Sequence, residues 1–389
     1  MSRTHHVVFF LLALHFVFPA LWLVILFQQG PRPNDWLHLK VVADHFVAGD
    51  WAHLYSTGAD AINPGYFWRY PPFALYLVAP LAWVPPGAAY PLVAGTQVAA
   101  LIASLVLLAR VAPPLPGTAH VWALAVALSA PAMSTVIAGQ SSALILLCVA
   151  GAAALWTRGR TVAACALLGL LAIKPNWGVF FGVFALAVRE WRGAAAMLGV
   201  AVGLCAAAVP LGWPLWRDFL AISASHDALL AGYEPYKVIT LSGFLNAAVG
   251  PGLAARTLWL AASVGLGALT VLAWQARGSA VRGLGLVVLL VLVINPYASF
   301  YDALVLAVPA SAWWAERARW RSGPWRLVGT LIAVAWCGEQ YLYSWANLLE
   351  RVGVQWAPAF SLVGPVAATW LAIAAREALA SERHPGRLR

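Results

Sequence analysis

Long apolar runs separated by short polar gaps dominate the chain, and their lengths predict helices that meet a bilayer. Residues 7–27 form the first run long enough to cross. A signal peptide is the rival reading, but the run is long for such a segment and ends in Phe27-Gln28-Gln29-Gly30-Pro31, without a small-x-small cleavage site. A polar stretch follows over residues 31–72, holding Asp35, His38, Lys40, Asp44, His45, Asp50, Asp60, Arg69 and Tyr70. Within it, Asp35 opens a pattern with Trp36, Leu39, Val42, Ala43 and Phe46 on one face, which predicts an amphipathic surface helix. Residues 75–84 are too few to cross and are bracketed by prolines, so a half-inserted or interfacial helix is expected there.

Crossings are then predicted over residues 88–108 and 120–136. The runs 143–156, 162–173 and 179–188 fall short of the roughly 20 residues a span needs, so this part of the chain should line a cavity or a thinned region. Residues 193–209 cross to a second polar stretch, 213–240, read as loop or surface helix. Residues 241–250 are too short to span, whereas 253–274, 284–294, 328–343 and 363–375 continue the alternation. The reading is an all-α polytopic membrane protein with about twelve crossings. It forms one integral domain over residues 1–376, with outer loops 28–72 and 212–240 making the active-site face and a basic cytoplasmic tail over 377–389.

Composition strengthens this picture, since 62% of the residues are hydrophobic, 21 are Trp and only 10% are charged. The net charge of +10 raises nucleic acid as a partner, but its distribution answers otherwise. Arg3, Arg110, Arg158, Arg160, Arg189, Arg192, Arg277, Arg282, the Arg317 to Arg326 cluster and the C-terminal arginines lie in gaps on one predicted side. Most acids lie on the other, so positive-inside bias explains the basic character, with the arginine side and both termini cytoplasmic. Cys148, Cys165, Cys205 and Cys337 each sit in an apolar run without ligand spacing, and read as small buried hydrophobes.

With this topology the unusual polar residues fall at one face: Asp35, Arg69, Tyr70, Gln140, Lys174, Asn176, His226, Asn295, Tyr301 and Asp302. Lys174, inside Leu-Leu-Ala-Ile-Lys-Pro, either snorkels to headgroups or faces a cavity where its ammonium suits a lipid phosphate. Arg69 is a second candidate for that anion or a plain interfacial anchor. Gln140, after Gly139, can hold sugar hydroxyls or cap backbone groups. Tyr301 and Asp302 stand where a helix N-terminus is capped, and Asp302 reads equally as structural or ligand-binding. Asp35 is either a first-turn cap or a general base for an acceptor hydroxyl. There is no Walker loop, GxSxG, HExxH or DxD pair near a helix end, which argues against ATP chemistry, serine hydrolysis, zinc and a nucleotide-sugar metal clamp. An outward-facing site also lacks cytoplasmic nucleotides, so an activated donor must reach it in the membrane.

These residues resemble the polytopic GT-C glycosyltransferases of family 87, whose members include polyprenyl-phosphate-mannose-dependent mannosyltransferases. The resemblance lies in Asp35 with Gly49 and Tyr55, Tyr70-Pro71-Pro72 with Pro80-Leu81, Gly139-Gln140, Lys174-Pro175, and Asn295-Pro296 with Tyr301-Asp302, in that order along the chain. It implies a GT-C-like fold and an inverting transfer of a hexose, typically mannose, from a polyprenyl-phosphate-linked donor to a lipid or glycan hydroxyl, without a cofactor or metal. Asp35 would be the base, and Lys174, Arg69 or His226 would hold the departing phosphate. Two positions depart from the family pattern, Leu39-Lys40 where a Tyr is common and Ser142 where an Asn is common, and both bear on the acceptor. A transporter or flippase of a lipid-linked sugar is the alternative, because it too would use broken helices and an intramembrane cation.

Overall fold

The computed structural model describes residues 35–55, 68–112, 119–224, 238–275, 280–315 and 363–383. The first apolar run, His226, the Arg317 cluster, the run 328–343 and Cys337 lie outside the described residues. Among the described residues the secondary structure is helical, with Val238 and Ser299 forming an isolated antiparallel bridge.

Helix α1, Asp35–Val47, is the predicted amphipathic helix, burying Trp36, Val42 and Ala43. It packs on the proline-bracketed segment, which forms a single turn and a half, α2 (Ala74–Val78), continued by a 3-10 stretch, Ala79–Trp83. Lys40 is buried between them, its ammonium donating to Asp44 and, at 3.4 Å, to the carbonyl of Ala82. Helix α3, Pro86–Val111, is long and apolar enough to cross a membrane.

The run expected as one helix over 120–136 is two, α4 (Ala119–Ala127) and α5 (Ala130–Ala138), bent by 50° at the break. Pro131 lacks the amide hydrogen that would continue the ladder, and Ser129 caps the new start, accepting from the amide of Ala132. The three short runs form α6 (Ser142–Trp156), α7 (Thr161–Gly169) with a 3-10 extension over Leu170–Ile173, and α8 (Pro175–Ala187). They pack on one another and on α3 in the main core, with Ala143, Ile145, Leu146, Val149 and Trp177 fully buried.

Helix α9, Trp191–Ala207, with the 3-10 turn Val209–Leu211, makes a second candidate span, and the surface helix α10, Trp213–Ala224, follows. After α11, Leu241–Val249, come the third candidate span, α12 (Leu253–Gln275), then α13 (Ala280–Ile294), a 3-10 helix over Phe300–Leu306, and α14 (Ala307–Ala315). Helix α15, Val363–Arg383, runs beyond the apolar stretch that predicted it. The bent pair α4–α5 is a fourth candidate span. Leu198 and Val202 on α9 and Leu260 and Val264 on α12 are more than half exposed, as side chains meeting lipid must be.

A smaller cluster stands apart from the main core. Val42, Leu54, Tyr55, Trp68, Phe73 and Leu75 pack there with Leu211, Leu215, Phe219 and Ile222. The first polar stretch and the surface helix α10 therefore form one layer at the end of the bundle where α9 finishes.

Candidate functional site

The site is built on helix ends. Gly139 ends α5 in the left-handed region, φ 76°, and its amide bonds to the carbonyl of Thr135. A side chain at Gly139 would meet Cβ of Trp36 at 2.7 Å and Cγ1 of Val93 at 3.0 Å. Glycine is thus required twice, for the turn and for the close approach of α1. That approach sets the first turn of α1 beside Gln140, whose side-chain amide donates to a carboxylate oxygen of Asp35.

Lys174 is presented by a proline. Pro175 disfavours helical backbone in the residue before it, so Lys174 leaves the 3-10 turn with φ −124° and ψ 82° and becomes the cap of α8, its carbonyl accepting from the amide of Trp177 at 2.8 Å. Its ammonium donates to Asp302 at 2.7 Å and stands 5.5 Å from the centre of the Tyr301 ring. Asp302 is 1% exposed and also accepts from the Ser142 hydroxyl at 2.7 Å. With Ser299 it forms a capping box at the start of the Phe300–Leu306 helix, so the capping expected of this position is present.

Asn176 and Asn295 come together as well. The Asn176 amide donates to the Asn295 side-chain oxygen at 3.0 Å, and the Asn295 amide donates back to the Asn176 carbonyl at 3.2 Å. The same Asn295 oxygen accepts from the amide of Tyr297, so this buried side chain ties the turn after α13 to the start of α8. Tyr70 has its hydroxyl 3.4 Å from that of Ser141, its carbonyl accepting from the Tyr55 hydroxyl at 2.8 Å, and its ring 4.9 Å from that of Trp68. Arg69 is exposed beside them.

The electrostatics connect these pieces. Burial raises the Asp35 carboxyl above its ordinary value, opposed by the hydrogen bond from Gln140 and by the attraction of Arg69 and Lys174. Burial likewise raises the Tyr70 phenol, so it stays protonated at neutral pH. Two carboxylates, Asp35 and Asp302, and two cations, Arg69 and Lys174, thus share one neighbourhood. No group of three His, Cys, Asp or Glu able to hold a metal ion occurs among the described residues.

Nine of the ten singled-out residues are described, and they fall in two linked sets, Asp35 with Gln140, Arg69 and Tyr70, and Lys174 with Tyr301, Asp302, Asn176 and Asn295. His226 lies outside the described residues. Sequence reasoning missed Ser142 as a partner of Asp302 and Ser141 as a neighbour of Tyr70. The pair of serines directly after Gly139-Gln140, at the start of an apolar run, was the available signal.

Comparison with known families bears on this arrangement. The model of glycosyltransferase family 87 matches residues 68–296, more than half of the chain. The chain belongs to glycosyltransferase family 87. Neither a curated protein nor a solved structure matches it. As a family 87 member it is a membrane glycosyltransferase, which sets the transporter reading aside. The matched stretch carries Arg69, Tyr70, Gln140, Lys174, Asn176 and Asn295, whereas Asp35, Tyr301 and Asp302 flank it and are brought to it by the bonds to Gln140 and Lys174.

Proposed function

We propose that this glycosyltransferase moves a hexose, mannose in the simplest case, from a polyprenyl phosphate to a hydroxyl of a lipid or glycan acceptor at the outer face of a bacterial cytoplasmic membrane. The proposal includes a GT-C-like bundle of about twelve crossings with both termini cytoplasmic, in which the bonded helix ends form the outer face. The observation that supports it is the gathering of Asp35, Gln140, Arg69 and Lys174 at one end of the bundle.

One carboxylate oxygen of Asp35 is engaged by Gln140, which fixes the group and leaves the other oxygen to accept a proton. In the proposed step the acceptor hydroxyl attacks the anomeric carbon from the side opposite the phosphate, its proton passes to Asp35, and the bond from the anomeric carbon to the phosphate oxygen breaks with inversion. The electron pair of that bond leaves with the phosphate, which becomes a monoester. The donor carries its own good leaving group, so stabilising the departing charge matters more than protonating it, and Lys174 and Arg69 supply the cations. No metal ion takes part in the proposed step.

The test is transfer of radiolabelled mannose from polyprenyl-phosphate mannose to an envelope lipid extract, with purified wild type and Asp35→Asn run in parallel. Product from wild type and at least a hundredfold less from the variant, with donor binding retained, is the expected result. Equal product from both would remove Asp35 as the base, and no product from wild type would overturn the choice of donor.

A further inference from the structure

Asp302 is the acid in this neighbourhood that the transfer step leaves unused. It is 1% exposed, and both of its oxygens are committed, one to the Lys174 ammonium and the Ser142 hydroxyl at 2.7 Å each, the other to the backbone amide of Ser299 at 3.1 Å. A carboxylate enclosed in this way is a poor ligand for a sugar. Lys174, by contrast, is partly exposed and has three N–H donors, of which Asp302 uses one.

We propose that Asp302 is a positioning and charge-balancing residue that holds the Lys174 ammonium toward the ligand and weakens its grip on the phosphate product. This rests on the reading that Lys174 holds the donor phosphate. Transfer converts a phosphodiester with one negative charge into a monoester that carries up to two. A lone buried ammonium would therefore bind the product more tightly than the donor and slow its release. A carboxylate fixed 2.7 Å from the ammonium subtracts from its field at the phosphate while leaving two donors for hydrogen bonds. The attachment of Asp302 to the backbone at Ser299 and to the start of α6 through Ser142 keeps that countercharge in place when a phosphate arrives. Ammonium and phosphate could otherwise pair without it.

The experiment measures binding of farnesyl monophosphate to the full-length protein in detergent, and its inhibition of transfer. Asp302→Asn is expected to tighten binding about tenfold and to lower kcat and donor KM together, because slower product release lowers both. Lys174→Gln should weaken binding, and Lys174→Gln with Asp302→Asn should bind more tightly than Lys174→Gln alone, since it removes an unbalanced carboxylate. That double variant replaces the ion pair by neutral amides and keeps the test available where Asp302→Asn alone fails to fold. Binding weakened by Lys174→Gln but unaffected by either Asp302 substitution would overturn the charge-balancing role alone. Wild type that fails to bind farnesyl monophosphate, or Lys174→Gln that binds it as wild type does, would overturn the phosphate reading and this proposal with it.

Discussion

At the residue scale the decisive environment is that of Asp35. Its carboxyl is raised by burial, and the hydrogen bond from Gln140 and the cations Arg69 and Lys174 work in the opposite direction. A base must be ionised, so kcat/KM should fall as pH drops through that raised value, at a higher pH than for an ordinary carboxylate. Arg69→Gln removes one of the opposing cations and should move this acid limb to still higher pH; a pH profile of the two proteins reads the shift, and an unmoved limb would contradict the coupling. The same environment has a stability consequence with a definite sign. A carboxyl whose folded value lies above its unfolded value contributes stability that is present at low pH and is lost as pH rises through the folded value. Asp35→Asn should therefore keep or raise the melting temperature at pH 7 while transfer is lost, the pattern of a group retained for chemistry at the expense of stability.

At the element scale the site depends on how closely helices approach one another. Gly139→Ala puts a methyl group 2.7 Å from Cβ of Trp36 and 3.1 Å from its Cα, and it also forces a non-glycine residue to φ 76°. Helix α1 must move away, at a cost of about 1–3 kcal/mol, and Asp35 moves with it away from Gln140. Transfer should fall more than stability does. Gly95→Ala on α3 is the matching control, because nothing lies within 4 Å of its added methyl group, and it should leave transfer unchanged. Thermal melts and transfer rates on the two variants check this. The elements themselves were largely readable from the sequence, because apolar runs and prolines mark them. The amphipathic pattern after Asp35 predicted α1, and the gap between the apolar runs 162–173 and 179–188 left Lys174 at a helix boundary. The bend between α4 and α5 was not readable from hydropathy, since Ser129 and Pro131 interrupt the backbone ladder without interrupting the apolar run. Nor were the pairings readable. Lys174 and Asp302 are 128 positions apart, Gln140 and Asp35 105, and no local pattern says which of several polar residues at one face will touch.

For the whole molecule, the bonds at the site test the alternation of the helices. Gln140 follows α5, Lys174 precedes α8, Asn295 follows α13 and Asp302 precedes α14, and all four are joined directly or through their neighbours to the layer containing Asp35 and Tyr70. These helix ends must therefore share one end of the bundle. The arginines Arg110, Arg158 and Arg189 sit at the opposite ends of α3, α6 and α8. Among the described helices these arginines thus lie away from the site, the separation that the alternation of apolar runs predicted. It gives an orientation that can be measured. In right-side-out cells, with the four native cysteines replaced, single cysteines at Asp50 and Arg217 should react with a membrane-impermeant maleimide. Cysteines at Arg158 and Arg192, both exposed in the fold, should react only after the membrane is opened. The reverse pattern would place the site of Asp35 in the cytoplasm, where nucleotide-linked sugars are available. The main reason for requiring a lipid-linked donor would then be gone, even though membership of the glycosyltransferase family would stand.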